Sequence, residues 1–357
     1  MSDFLFYSVV VLLGCFSVAY YLLNRIDADL IPEQYELSLD PFWPIYGTML
    51  VGGICAFSFY PQIFDAIFDY NYITFIVPLA FALLIYIFYL FEFDMVANLL
   101  IFSGGLLVAY MAPENFMLFP QIPYMFLDKL SIAAIIFVIA KSFVLLNGLP
   151  AVSAVQYSTI LLSIFVLAYF GHLPQILAVV AIAYLGVMIA FAFFSWPPEK
   201  LILSQGAYCS LGFILACLMF NASVEYAESS MFVAASYLIT ELLVFIYNRF
   251  LLGIKKSWGF MNTLYFKISK EGEFTNEVLS GLCKIMLVNI VLSVAQVYCP
   301  SRIAFPMFSI FTNLWFLSIL SGDAKPIQFL SITRIGGTAL GYIFKNKTKK
   351  NKQKNRE

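Results

Sequence analysis

Three carboxylates and three cations interrupt an otherwise apolar chain: Glu92, Asp94, Lys141, Lys200 and Arg249 at or beside its breaks, and Glu241 within one of its apolar runs. Carboxylates in such places do general acid–base work or hold a cation, and cations at helix ends hold phosphates. Leu90-Phe91-Glu92-Phe93-Asp94 joins two apolar runs by a very short turn, so its acids either serve a site or simply end helices and meet water. Lys141 falls in the last turns of its run, where it complements a helix C-terminus or reaches along the surface to water. Asn147-Gly148 then closes that helix in the left-handed way that glycine permits. Lys200 to Ala207 leads into a helix whose unpaired N–H groups form an anion site, with Gln205 placed to cap it. Glu241 lies about two turns before Arg249 in one long apolar run. An acid at that depth marks a site by default, with pairing to Lys141 or Arg249 as the structural alternative.

The elements that must position these groups follow from composition. With 62% hydrophobic and 11% charged residues over 357 positions, the chain is too apolar for a soluble globular domain and reads as a polytopic membrane protein. The net charge of −1 conceals basic residues gathered in one loop and in the tail Lys345 to Arg356, which reports topology and calls for no nucleic acid. Cys15, Cys55, Cys209, Cys217, Cys283 and Cys299 lack the spacing of a zinc site or a disulfide framework and read as small packing residues. His172 is the single histidine, which leaves little for a His-dependent metal or acid–base mechanism. There is no Gly-x-x-x-x-Gly-Lys phosphate loop, dinucleotide fingerprint, paired-histidine metal motif or Gly-x-Ser-x-Gly elbow. Enzyme, carrier and assembly factor all stay open at this point.

A bilayer core is crossed by about 20 apolar residues, and on that measure the chain is all-α with about eleven transmembrane helices. They fall at Phe4–Leu23, Phe42–Tyr60, Ile73–Phe91, Met95–Met111, Leu130–Leu146, Ala151–Phe170, Leu173–Phe194, Gln205–Phe220, Met231–Leu252, Gly281–Tyr298 and Ala304–Leu320. The first lacks a basic start and a small-residue cleavage site, so it is expected to be retained. Gly104-Gly105 and Gly212 are small residues that let helices approach closely where lipid gives no hydrophobic drive. Arg25, Lys200, Lys255, Lys256, Lys267 and Lys270 fall in loops on the side of the Lys-rich tail, against Lys129 and Arg302 on the other. The N-terminus is therefore expected outside and the C-terminus in the cytoplasm, with all four polar breaks on the cytoplasmic face. The expected division is a transmembrane domain over 1–325 and a cytoplasmic segment over 326–357. In that segment Pro326 to Phe344 lies along the inner surface, and the tail is drawn to anionic lipid.

At these breaks the chain resembles the polyprenyl-phosphate N-acetylhexosamine-1-phosphate transferases, the superfamily of the muramoyl-pentapeptide and enterobacterial common antigen initiating enzymes. The resemblance covers about the whole chain and rests on order, spacing and flanking residues. The family's early Pro-x-x-Gly-Gly element looks like Trp43-Pro44-Ile45-Tyr46-Gly47. Its Asp-Asp-x-x-Asp falls on Leu90 to Asp94, where only the last acid survives. Its Asn-x-x-Asn-x-x-Asp-Gly-x-Asp-Gly element falls on Lys141 to Ala151, with Asn147 and Pro150 in place of the acids and Gly148 kept. Its Lys-x-x-x-Gly-Asp-x-Gly-Ser element looks like Lys200 to Tyr208, with Gln205 replacing the magnesium-binding Asp. The acid of the ninth span is similar to Glu241, followed by Tyr247-Asn248-Arg249, and the His-x-His-His loop falls on Thr263 to Phe266 with no histidine.

The resemblance implies a site on the cytoplasmic face of a bacterial inner membrane, where family members move a sugar phosphate from a UDP-sugar to undecaprenyl phosphate with Mg²⁺. The departures fall on the metal ligands and histidines, so no cofactor is expected unless the chain is an active enzyme. The first expectation is a catalytically degenerate homologue that binds polyprenyl phosphate, or a partner in cell-envelope glycan assembly. Lys141, Asn147, Gly148, Lys200, Gln205 and Arg249 would then line a phosphate site. The alternative is a divergent transferase using Glu92, Asp94 and Glu241, with Mg²⁺ retained. A lipid-linked sugar transporter is a third reading, which would predict internal repeats that the sequence does not display.

Overall fold

A segment surrounded by lipid has to satisfy its own backbone N–H and C=O groups, and every described element is accordingly a helix. The computed structural model describes residues 2–29, 40–58, 73–113, 116–119, 124–145, 150–196, 201–224, 228–250, 275–299 and 304–320. Asn147, Gly148, Lys200, Thr263 to Phe266, the surface segment over 326–344 and the basic tail lie outside these residues, and of Arg249 only the backbone lies within them. The helices are α1 (Ser2–Asp29), α2 (Phe42–Ser58), α3 (Ile73–Leu90), α4 (Asp94–Met111), α5 (Met125–Leu145), α6 (Pro150–Tyr169), α7 (Gln175–Ser195), α8 (Gln205–Ala222), α9 (Glu228–Ala234), α10 (Ser236–Phe250), α11 (Thr275–Tyr298) and α12 (Ala304–Leu320). Ten of the eleven expected apolar runs each overlap a single helix over their described residues. The ninth, expected as one span over Met231–Leu252, is instead α9 and α10 with a break at Ala235.

Phe4–Ile26, Asp94–Met111, Ala151–Tyr169, Gln175–Ser195, Gln205–Ala222 and Val278–Tyr298 are each long and apolar enough to cross a membrane. Four shorter apolar helices, α2, α3, α10 and α12, accompany them. The chain is a multi-pass membrane protein. Its outward faces bear large apolar side chains such as Phe6, Leu13, Met95, Leu99, Val291 and Phe311, the pattern of a surface solvated by hydrocarbon.

Two helices sit inside the bundle, and side-chain size explains why. α7 and α8 are rich in Ala, Gly, Ser and Cys, are apolar all round, and are buried along nearly their whole length. α1, α2 and α6 pack around α7, and α3 and α5 pack around α8, with α4 closing the second group against α3 and α5. α9 to α12 form a third group that joins the others where α11 and α9 meet α6 and where α10 meets α5. The glycines mark the closest approaches. A Cβ on Gly212 would lie 2.8 Å from the Ala140 carbonyl oxygen of α5, and one on Gly105 would lie 3.2 Å from Ile136. These are the positions at which the sequence predicts close packing.

Two helix hairpins turn by the same backbone device. At the end of α6, Gly171 has φ +80°; its N–H donates to Ala168 O and that of His172 donates to Leu167 O. At the end of α3, Glu92 has φ +62°; its N–H donates to Tyr89 O and that of Phe93 donates to Phe88 O. Both are left-handed C-caps, the second reinforced by an edge contact of the Phe88 and Phe93 rings at 6.4 Å. A side chain in that conformation costs roughly 1–2 kcal/mol. Glu92→Gly is therefore expected to stabilise the protein by about 1 kcal/mol, after the extra chain entropy of glycine is subtracted. Reversible unfolding in detergent would read this, and a loss of stability would show that the Glu92 carboxylate makes a contact that outweighs the strain.

Candidate functional site

The end of the bundle that carries the Glu92 turn gathers three of the four polar breaks. α2 begins there at Asp40, whose Oδ1 accepts from the Phe42 N–H at 3.0 Å, with Pro41 in the first turn. That is an N-cap of the usual kind, since proline in a first turn gives up no hydrogen bond. The second carboxylate oxygen of Asp40 accepts from the Tyr86 hydroxyl of α3 at 3.1 Å, and the Tyr86 ring stacks on Phe42 with centroids 3.9 Å apart. The start of α2 is thereby tied to the end of α3.

One turn further along α3, Tyr89 is the hub. The ammonium of Lys141, on α5, donates to the Tyr89 hydroxyl and also lies over the Tyr89 ring. The Tyr89 hydroxyl in turn donates to Asn98 Oδ1 of α4 at 2.9 Å. The buried Cys209 thiol of α8 lies against both Tyr89 and Lys141. Gly206 permits this meeting: a Cβ there would fall 2.6 Å from Tyr89 Cβ, so any larger residue pushes the start of α8 off α3. Lys141 is thus turned inward, half-buried, rather than extended toward the surface as a free lysine in a last turn would be.

The approach to α8 is built by alternation. Leu201 and Leu203 are buried, while Ile202 and Ser204 between and after them are exposed, and the Leu201 N–H donates back to Phe194 O at the end of α7. Ser204 is the N-cap, its Oγ accepting from the Ala207 N–H at 3.2 Å. This corrects the expectation that Gln205 caps α8. Gln205 is the first helical residue and exposed, and a shorter hydroxyl one position earlier reaches the N3 amide better.

The acids are distributed differently from the cation. Glu92 is exposed at its turn, and Asp94 is exposed at the first position of α4, where a negative charge complements the helix N-terminus. Asp94 is within electrostatic reach of Tyr89 and Cys209. Glu241 lies in the third helix group, on α10, 8% exposed, and among the described residues its Oε2 has no hydrogen-bond partner. Lys141, one of its expected partners, faces α3 and α8. Among the described residues no three of His, Cys, Asp and Glu come together in a way that could hold a metal ion. Glu92, Asp94 and Glu241 therefore do not form a donor set that fits Mg²⁺, and no step through that ion follows from them.

Tyr89, Asn98, Cys209 and Asp40 were not singled out by sequence. Asp40-Pro41 before an apolar run is a legible helix start. The other three carry no local signal. No protein-family model matches the chain, and no curated protein is significantly similar to it.

A second polar cluster lies within the bundle. Ser236, Asn289, Ser309 and Asn313 are all fully buried. Ser309 Oγ donates to Asn289 Oδ1 at 2.7 Å, Asn289 Nδ2 to Asn313 Oδ1 at 3.2 Å, and Asn313 Nδ2 to Ser236 Oγ at 2.9 Å. The Ser236 hydroxyl completes the ring at 2.5 Å from Ser309 Oγ. Each member donates once and accepts once around the circuit, which joins α10, α11 and α12. A closed circuit of this kind holds helices together in lipid and leaves little over for a ligand.

Proposed function

We propose that this membrane protein binds the phosphate head of a lipid carrier, a polyprenyl phosphate, where the ends of α3 and α5 meet the start of α8. On this reading it serves cell-envelope glycan assembly in a bacterial inner membrane, as a non-catalytic relative of the transferases it resembles. The observation that carries the proposal is the inward turn of Lys141, whose ammonium lies against Tyr89 and against Cys209, one turn in from the start of α8. A cation next to a helix N-terminus offers a phosphate both charge and amide donors. The Lys/Arg asymmetry supports placing this end in the cytoplasm, with eleven spans and the N-terminus outside. Lys200 and Arg249 are the further cations proposed for the head group, with Gln205, Asn147 and Gly148 around them. A divergent transferase is less well supported, because Glu92 serves the α3–α4 turn and Glu241 belongs to another helix group. A transporter of lipid-linked sugars lacks the repeats it would require.

Each charge-assisted contact to phosphate contributes on the order of 1.5–3 kcal/mol. Lys141→Ala is therefore expected to weaken binding of undecaprenyl phosphate by roughly ten- to a hundredfold in native mass spectrometry. No preference of the wild type over phosphatidylglycerol, or unchanged affinity in the variant, would count against the lipid-carrier reading and favour a partner-binding scaffold. Release of UMP from UDP-sugars in the presence of the carrier lipid and Mg²⁺, lost on Asp94→Asn, would establish the transferase instead.

A further inference from the structure

Tyr89 touches the Lys141 ammonium in two ways. The ammonium donates to the Tyr89 hydroxyl and stands over the Tyr89 ring, 4.9 Å from its centroid. A lysine has three N–H donors and no acceptor, while a tyrosine hydroxyl has one proton and two lone pairs. The Tyr89 proton is committed to Asn98 Oδ1 of α4 at 2.9 Å. The hydroxyl therefore faces Lys141 with lone pairs alone. Asn98 sets its direction, and that direction fixes the ammonium.

Without that hold Lys141 has another partner available. It lies four residues before the end of α5 at Leu145, and from the last turns of a membrane helix a lysine stem reaches the surface and water. Tyr89 is itself anchored: a Cβ on Gly206 would lie 2.6 Å from Tyr89 Cβ, so α8 packs directly on the base of the tyrosine side chain. The Cys209 thiol lies against the same two side chains, but sulfur is a weak acceptor and does not replace the hydroxyl. Tyr89, Asn98 and Lys141 are all half-buried, so the ammonium is held at the end of the bundle without being sealed inside it.

We propose, resting on the lipid-carrier reading of the Lys141 site, that Tyr89, oriented by Asn98, is the positioning residue for the anionic head group. It holds the ammonium inward and leaves the remaining N–H donors of Lys141 for the phosphate oxygens. The gain is preorganisation. Ordering a rotamer-rich side chain on binding costs about two- to tenfold in affinity, and a lysine already held does not incur that loss. With its own proton engaged by Asn98, Tyr89 offers the phosphate no donor and acts through Lys141.

The test uses the full-length protein in lipid nanodiscs. One readout, taken without carrier lipid, is the rate at which an amine-reactive succinimidyl ester labels Lys141, followed by peptide mass spectrometry. The other is affinity for undecaprenyl phosphate by native mass spectrometry, with phosphatidylglycerol as the comparison. Tyr89→Phe keeps the ring and removes only the hydroxyl. It should raise the labelling rate several-fold, as the ammonium swings out to water, and weaken undecaprenyl phosphate binding by about two- to tenfold. In a Lys141→Ala background it should change the affinity no further, whereas a residue that merely supports the fold would weaken both backgrounds alike. Asn98→Leu leaves Tyr89 in place and should give both changes in smaller degree; it carries the test if Tyr89→Phe does not fold. Unchanged labelling in Tyr89→Phe overturns the proposal. Unchanged or tighter binding overturns it too, because the hydroxyl would then be idle or would be withholding Lys141 from the ligand. A wild type with no preference for undecaprenyl phosphate over phosphatidylglycerol overturns the lipid-carrier reading and this role with it. Raised labelling in that case shows that the ligand was wrongly assigned and that the hold on Lys141 is real.

Discussion

Gly186→Ala is expected to destabilise the bundle by about 1–3 kcal/mol, and larger side chains there by more. The reason is backbone against backbone: a Cβ on Gly186 of α7 would stand 2.5 Å from the Leu12 carbonyl oxygen and 3.1 Å from the Phe16 nitrogen of α1. No rotamer change relieves such a contact, so α1 must move off α7. Cys15 lies at the centre of this crossing, its Cβ 3.3 Å from that same would-be Cβ, and its Sγ would lie 2.6 Å from a Cβ added to Gly52 of α2. The control is Gly14→Ala on the opposite face of α1, where a Cβ would meet nothing within 4 Å. Alanine there should be neutral or stabilising by up to about 1 kcal/mol, through helix propensity alone. Steric trapping or denaturant titration of both variants reads the contrast, and equal effects at positions 14 and 186 would refute the close α1–α7 crossing.

Asn289→Leu should cost roughly 2–3 kcal/mol, because it removes two hydrogen bonds and strands the Ser309 hydroxyl and the Asn313 carbonyl oxygen in an apolar interior. Interhelical hydrogen bonds in membranes are individually worth only about 0.6–1.7 kcal/mol. The larger loss comes from the polar groups left behind. The ring therefore makes a second prediction about coupling: Asn289→Leu and Asn313→Leu together should cost clearly less than the sum of the single changes, with an interaction energy of about 0.5–3 kcal/mol. Strict additivity would mean that these side chains act independently. Loss of the ring also frees α10, α11 and α12 from one another, so limited proteolysis should report that group first.

The sequence by itself determined the solvent and the elements. Apolar runs of membrane length admit one backbone solution in lipid, the helix, so the boundaries of α4, α8 and α12 are legible to within a few residues. Glycine sites were legible for the same reason: Gly105 and Gly212 are useful only where another helix comes close.

What the tertiary structure alone decided is where each polar group turns. Glu92 looked like an acid available for chemistry, yet its backbone occupies a position that Gly171 fills elsewhere, and nothing local distinguishes a left-handed cap from a longer turn. Lys141 had two ways to satisfy its charge, outward to water or inward to a neighbour. The choice depends on Tyr89, which lies far away in sequence and becomes adjacent only because Gly206 lets α8 approach α3. Ser236, Asn289, Ser309 and Asn313 each read alone as a tolerated polar residue in an apolar helix. Their closure into a ring depends on the register of three helices. Periodicity and hydropathy are properties of one segment, whereas hydrogen-bond satisfaction inside a membrane is a property of the faces that segments turn toward each other.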